Sequence, residues 1–263
     1  METPPSTSPF AVITGASRGI GAEYARALAG RGYDLLLVSR DTARMDQLAS
    51  ELTSCHGVAV DSEEMDLAQE DAGHRLYVAA RQRRPHADLL VNNAGFGLSG
   101  EFVNMPMARV QAMLRLHVIT IVESIRLFLP AMLERRDGGV ITVASIAGFY
   151  SVPYMAEYAA TKAFLIAFSE ALAEEVASSG VRVQACCPGS TETDFHATAG
   201  FRPKNTLRVQ TPAEVVSASL SALEHGPSVV MTGWQWRGLA ALSRCVPRHW
   251  LTRMAAHAMK QRG

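Results

Sequence analysis

A five-residue apolar run, Phe10–Thr14, passes directly into Gly15-Ala16-Ser17-Arg18-Gly19-Ile20-Gly21, and an Ala-rich amphipathic stretch from about Ile20 to Ala29 follows. Three glycines between a strand and a helix permit left-handed backbone and let main-chain N–H groups approach a ligand closely. The N-terminus of the ensuing helix carries partial positive charge, so the turn suits an anion such as a pyrophosphate. The spacing Gly-x₃-Gly-x-Gly departs from the common Gly-x-Gly-x-x-Gly, and such a turn can also be a structural bend. Its place after the chain's first strand favours the nucleotide reading.

The same alternation continues. Apolar runs predict strands at Asp34–Ser39, Gly57–Asp61, Asp88–Asn92, Gly139–Ala144, Val181–Cys187 and Ser228–Met231. Between them, helical patterns run over Thr42–Leu52, Gln69–Arg83, Met107–Arg135, Tyr154–Ser178 and Pro212–Glu224. Strands apolar on both faces and separated by helices predict an α/β fold, with helices on both faces of a parallel sheet. Right-handed crossovers make it a Rossmann-type doubly wound sheet of about seven strands. The reading divides the chain into a flexible lead-in (1–9), one catalytic domain (10–233) and a basic amphipathic tail (234–263).

Composition narrows the function. Lys plus Arg equals Asp plus Glu at 25 each, which gives no global argument for nucleic acid. Cys55, Cys186, Cys187 and Cys245 show no CxxC spacing, and a vicinal disulfide is strained, so reduced thiols in a cytoplasmic protein are expected. The opening METPPSTSPF has no basic n-region or apolar h-region of a secretory signal. The greasy stretch Val118–Leu133 is interrupted by Glu123 and Arg126, against a simple membrane span. No metal site is expected, because His74, His86 and His117 lie on separate segments, and no G-x-S-x-G nucleophile elbow is present.

The second strand ends in Ser39-Arg40, where a dinucleotide's adenosine ribose would lie. An acid there would favour NAD. A serine does not repel a 2′-phosphate, and the Arg40 guanidinium can bind one, with Arg18 approaching from the glycine turn. NADP(H) is therefore favoured over NAD(H), although both arginines also fit solvated surface positions. Asp66-Leu67 follows the third strand, where a carboxylate can accept from the adenine amino group. Asn92-Asn93-Ala94-Gly95 closes the fourth, either as part of the same site or as a turn bonding its own backbone.

Tyr158 and Lys162 stand four residues apart in a helical pattern, which puts them on one face about 6 Å apart along the axis. A phenol ordinarily titrates near 10, and a nearby ammonium would stabilise its phenolate. Tyr158 could then exchange a proton with a carbonyl oxygen, while Lys162 tunes it and holds the nicotinamide ribose. Tyr-x₃-Lys also occurs as an exposed helix pair. Ser145, thirteen residues before Tyr158, ends the fifth strand, placed to hydrogen-bond the substrate oxygen or simply to cap a turn.

Together TGASRGIG, Asp66, NNAG, Ser145, YAATK and Pro188-Gly189-Ser190-Thr191-Glu192-Thr193 resemble the short-chain dehydrogenase/reductase family, over roughly Phe10 to Met231. The resemblance implies a dinucleotide bound by Gly15, Ser17, Arg18, Gly19, Ile20, Gly21, Arg40, Asp66, Leu67, Asn93, Ala94, Gly95, Pro188 and Gly189. It places Thr193, or Thr191, near the carboxamide. Hydride transfer to a small-molecule carbonyl or alcohol follows, as do homodimers or homotetramers packed partly through the Tyr158 helix. One residue departs from the pattern: His117 stands where the family usually has an asparagine that helps hold a proton-relay water. The imidazole either serves that relay, shifting the pH profile, or merely packs.

Phe96, Phe149, Tyr150, Pro153 and Tyr154 are candidate walls for an apolar substrate, with Phe195 to Val209 as a mobile lid. Beyond Glu224 there is no acid, yet Arg237, Arg244, Arg248, Arg253, Lys260 and Arg262 alternate with tryptophans and leucines. Such a tail packs on the body or a neighbouring subunit, or lies on an anionic membrane; packing is favoured. An NADP(H)-dependent carbonyl reductase leads, and a catalytically weak dinucleotide-binding sensor or interaction protein is the alternative.

Overall fold

The computed structural model describes residues 8–193, 209–233, 235, 236, 238 and 246–260. Most of the predicted lead-in, all but the last residue of the predicted lid over 195–209 and much of the tail before 246 lie outside the described residues. Seven parallel strands form one sheet: β1 (Phe10–Thr14), β2 (Asp34–Ser39), β3 (Val60–Glu64), β4 (Leu89–Asn92), β5 (Gly138–Val143), β6 (Val181–Cys187) and β7 (Val229–Met231). Their order is β3-β2-β1-β4-β5-β6-β7. The order reverses between β1 and β4, which opens a crevice at the carboxyl ends of those two strands.

Two apolar layers bury the sheet. On one face α1 (Gly19–Ala29), α2 (Thr42–His56) and α7 (Pro212–His225) cover Ile13, Leu35, Leu37 and Val91. On the other, α3 (Ala72–Arg83), α5 (Thr120–Arg135) and α6 (Ala156–Glu175) cover Val12, Leu36, Leu90 and Val140. Adjacent residues of one strand thus go to opposite layers, which is why the strands read as continuous apolar runs. By length and hydropathy Met107–Arg135 is capable of crossing a membrane. Here its Ile121, Ile125, Phe128 and Met132 are buried in the second layer, with Phe128 edge-on to Tyr77 at 5.2 Å.

Many boundaries shift by one to three residues from the sequence reading, and three differences have a local reason. Helix α2 continues to His56, because it is Gly57, at φ 69°, that closes it by donating its N–H to the Thr53 carbonyl. The third strand accordingly starts later, at Val60. Its sequence VDSEE is not apolar, since β3 is an edge strand with one partner and a solvent-facing side. Glu63 there pairs with Arg83 at 2.7 Å. The predicted helix Met107–Arg135 is α4 (Met107–Leu114), a π-helical turn over Arg115–Ile119 and α5. The extra residue in that turn re-aims the helix face at His117.

The start of α7 follows its sequence closely. Glu214 N–H donates to Thr211 Oγ1 at 3.2 Å and Thr211 N–H to Glu214 Oε2 at 2.9 Å, a reciprocal cap with Pro212 in the first turn. One polar contact crosses the first layer. The fully buried Tyr24 hydroxyl of α1 donates to Ser219 Oγ of α7 at 2.6 Å, and Ser219 Oγ donates to Gln184 of β6. Tyr24→Phe removes the phenol and leaves Ser219 one donor short, which costs about 1 kcal/mol. The expected result is a lower urea midpoint with unchanged dinucleotide affinity; an unchanged midpoint would show that the contact adds nothing to stability.

Candidate active site

The glycine turn forms a close-fitting cradle. Gly15 and Gly19 adopt φ of 65° and 56°, positions that disfavour any side chain. A Cβ on Gly21 would lie 2.2 Å from the Gly15 carbonyl oxygen, and one on Gly15 would lie 2.8 Å from Ala94 Cα. The predicted site segments are therefore in contact across the crevice. Asn93 Nδ2 donates to the carbonyls of Thr14 (2.9 Å) and Gly15 (3.1 Å). The Asn93 and Ala94 N–H groups both donate to Thr14 Oγ1, at 2.9 and 3.0 Å, and that hydroxyl donates to Val91 O at 3.2 Å. The Asn-Asn-Ala-Gly segment thus bonds the glycine turn and not its own backbone. No acid occupies the first turn of α1, so its N-terminal dipole faces this cradle uncompensated.

At the end of β2 the Ser39 hydroxyl donates to Ser17 Oγ at 2.9 Å, tying the strand to the glycine turn. Arg40 and Arg18 are exposed beside it. Asp66 accepts from Ala68 N–H at 3.0 Å and from Gln69 Nε2 at 3.1 Å. Partial burial opposes its charge, but these bonds, with the charges of Arg40 and Arg75, hold its carboxyl below the usual range. Leu67 is buried in the core and Ile20 half-buried against the first layer. Further along, Ile146 N–H donates to Pro188 O at 3.0 Å, and Thr191 Oγ1 donates to Gly189 O at 3.1 Å. Thr193 packs on the glycine turn: a Cβ on Gly19 would lie 3.0 Å from Thr193 Cγ2.

Tyr158 and Lys162 project from the first turns of α6, both buried. Lys162 Nζ donates to the carbonyl of Val143, at the end of β5, at 2.7 Å and sits 5.7 Å from the Tyr158 ring centroid. Ser145, two residues on, accepts the Ala147 N–H at 3.1 Å and hydrogen-bonds the Tyr158 phenol. Burial pushes the phenol up to about 12, with the Ser145 bond working the other way. Burial also draws the Lys162 ammonium down to about 8. The sequence reading had the lysine lowering the phenol. In the protein as it stands the phenol is raised by burial, so it is a stably protonated acid.

His117 lies in the π-helical turn with no exposed surface. Its Nε2 accepts the Phe96 N–H at 3.2 Å, so the ring proton is on Nδ1, which lies 3.0 Å from Thr161 Oγ1. That hydroxyl donates in turn to the Tyr158 carbonyl at 2.8 Å, leaving its oxygen to accept from the imidazole. Burial first, then the Lys162 charge, depresses the His117 pKa well below its ordinary value. A neutral ring therefore bridges the Asn-Asn-Ala-Gly segment and α6. Gly95 accommodates it, since a Cβ there would lie 2.9 Å from His117 Nε2.

Around the phenol, Met113, Met155 and Tyr158 form a buried apolar cluster, with Phe96, Leu98, Ala147 and Val152 packed against it. Phe96 was anticipated as a wall residue. That Leu98, Met113, Val152 and Met155 gather beside it was not, for nothing in their local pattern sets them apart from core. Phe149 packs on the second layer, and Tyr154 holds a left-handed φ of 66°. Among the described residues no cluster of His, Cys, Asp or Glu is suited to a metal.

The chain as a whole is similar to known proteins. Residues 9–202 match the short chain dehydrogenase family model. The chain is 30% identical over 226 residues to the ketoacyl reductase HetN of Nostoc sp. strain PCC 7120, covering 86% of this chain and 78% of that one. It is 34% identical over 218 residues to a very-long-chain 3-oxoacyl-CoA reductase of Phaeosphaeria nodorum, spanning 81% of this chain but only 63% of that protein's length. A solved short-chain dehydrogenase from Sphingobium yanoikuyae in complex with NADPH superposes with a TM-score of 0.80 at 32% identity, covering 90% of this chain and 94% of the other. The chain belongs to the short-chain dehydrogenase/reductase family, and its crevice is built for the dinucleotide chemistry of that family.

Proposed function

We propose that this protein is an NADP(H)-dependent oxidoreductase that reduces the carbonyl of an apolar substrate, or oxidises the matching secondary alcohol. The carrying observation is the Ser145–Tyr158 hydroxyl pair with the Lys162 ammonium behind it, set at the carboxyl edge beside the glycine cradle. A bound dihydronicotinamide would supply the hydride. Tyr158 gives its phenolic proton to the carbonyl oxygen, and Ser145 donates a hydrogen bond to the same oxygen as charge develops there. The Lys162 ammonium then stabilises the phenolate left behind. Ser39, Arg40 and Arg18 support the NADP preference, because no acid stands where a 2′-phosphate would lie. Asp66, Leu67, Pro188, Gly189, Thr191 and Thr193 complete the proposed dinucleotide site.

Turnover of NADPH with a panel of apolar ketones tests the reading, with Tyr158→Phe as the paired variant. The variant is expected to lose about 10²–10⁴-fold in kcat. Equal rates for variant and wild type would overturn the assignment. The pH dependence has a definite sign. Tyr158 is protonated below about 12 and Lys162 below about 8, so kcat/KM for reduction is expected to be level near neutrality and to fall above about 8. Burial holds the His117 pKa well below its ordinary value, so no inflection is expected near 6.5.

Cofactor choice is tested by Arg40→Asp. Losing a charge-assisted contact and gaining a repulsion should lower the NADPH/NADH ratio of kcat/KM by about 10- to 100-fold. An unchanged ratio would place Arg40 on the solvated surface only.

The assembly proposed is a homodimer or homotetramer through α5 and α6. Leu114 at the end of α4, Ile119 at the entry to α5 and Phe164 of α6 stand 43%, 51% and 40% exposed, and Phe164 stacks on Phe168 at 5.7 Å. Light scattering is expected to return two or four chain masses, and Phe164→Arg to reduce them. A monomer for the wild type would remove the proposal.

A further inference from the structure

The last described helix, α8 (Arg248–Lys260), has two unlike faces. His249, Trp250, Arg253, Met254 and His257 are exposed, whereas Leu251, Ala255 and Met259 are half-buried at successive four-residue spacing. That spacing makes one stripe, and the stripe must lie against protein. Its last member shows where: Met259 packs with Leu98 and Val152 on the cluster of Met113, Met155 and Tyr158. The helix therefore reaches the apolar cluster that contains Tyr158 from the far end of the chain. Around that phenol three methionines from three separate helical segments converge, of which Met113 is fully buried and Met155 nearly so.

The chemistry of this wall is distinctive. Thioether chains are unbranched and polarizable, and they change rotamer at low cost to follow the outline of a ligand. With Leu98 and Val152 they offer no hydrogen-bond donor for a sugar hydroxyl or a carboxylate. A polar substrate would leave its own groups unpaired here, which costs affinity, whereas methylenes gain by burial. Besides the Lys162 ammonium behind the phenol, the exposed Arg109 stacks over the Phe96 ring at 5.3 Å.

Resting on the oxidoreductase reading above, we propose that Met259 of α8 forms the distal wall of the substrate site with Met113 and Met155, and that the site accepts ketones bearing a flexible aliphatic chain. The C-terminal helix is then a specificity element: it sets how long a chain the site holds.

The experiment is a homologous series of methyl n-alkyl ketones, from 2-butanone to 2-dodecanone, reduced with NADPH. For the wild type kcat/KM is expected to rise about three- to four-fold per methylene up to a plateau. Met259→Trp fills the wall and should bring that plateau to a shorter chain, with about a ten-fold loss for the longest ketone. Met259→Ala should move it to a longer one. Retained NADPH affinity shows that the variants are folded. Trp250→Ser, on the exposed face, should follow the wild-type profile. Identical profiles for wild type and both Met259 variants would overturn the inference, as would an equal displacement by Trp250→Ser. If the wild type turns over no ketone, the oxidoreductase reading fails and the wall is tested by binding. A bimane on Met259→Cys, in a Cys55→Ser/Cys245→Ser background that leaves only the buried Cys186 and Cys187, should change emission when 2-dodecanone is added and not with glycerol; no change would overturn the wall itself.

Discussion

The hydroxyl of Thr14 carries the site. It accepts the N–H groups of Asn93 and Ala94 and donates to Val91, while Asn93 spans to the Thr14 and Gly15 carbonyls. Every one of these groups is at the point where β1 and β4 diverge, so none can be satisfied by the regular sheet ladder. The knot thus does two things at once. It pairs main-chain groups that would be orphaned at the strand ends, and it fixes the glycine turn against the fourth strand. Because a Cβ on Gly21 would meet the Gly15 carbonyl and Asn93 Nδ2, the entry to α1 is held at the same point. The direction of the α1 dipole, the position of Thr193 and the floor of the crevice all follow from it.

At the other end of the crevice, burial is the dominant force. Taken from water, the phenol holds its proton more tightly and the ammonium less tightly, so two groups of ordinarily similar acidity move apart. A raised phenol alone is a poor donor. What makes proton donation feasible is that the charge it leaves behind forms beside Lys162, which is anchored to Val143 and cannot swing away without losing that bond. The main-chain carbonyl at the end of β5 is thus part of the catalytic geometry, although its side chain takes no part.

How far the sequence carried varied with the kind of interaction. Where neighbouring residues decide the structure, as in the reciprocal cap Thr211–Glu214 or the glycine turn, the reading matched the coordinates. It strayed where a strand's environment mattered more than its composition: VDSEE pairs with β2 despite its charges because an edge strand buries so little. The π-helical turn at Arg115–Ile119 left no trace in a uniformly helical pattern, although His117 in the usual asparagine position marked the spot. Ser145, Tyr158 and Lys162 were legible because their spacing is local to one strand end and one helix. The methionine cluster was not, since Met113, Met155 and Met259 meet only through tertiary packing.

His117 and Gly95 occupy one volume between them. The imidazole reaches from Phe96 to Thr161 only because position 95 has no side chain, and an asparagine at 117 would be too short to make both bonds. Changes at the two positions are therefore not independent: the cost of either depends on the state of the other, and their effects should not add. The backbone at position 95 is thus open to glycine alone for as long as the imidazole stands at 117.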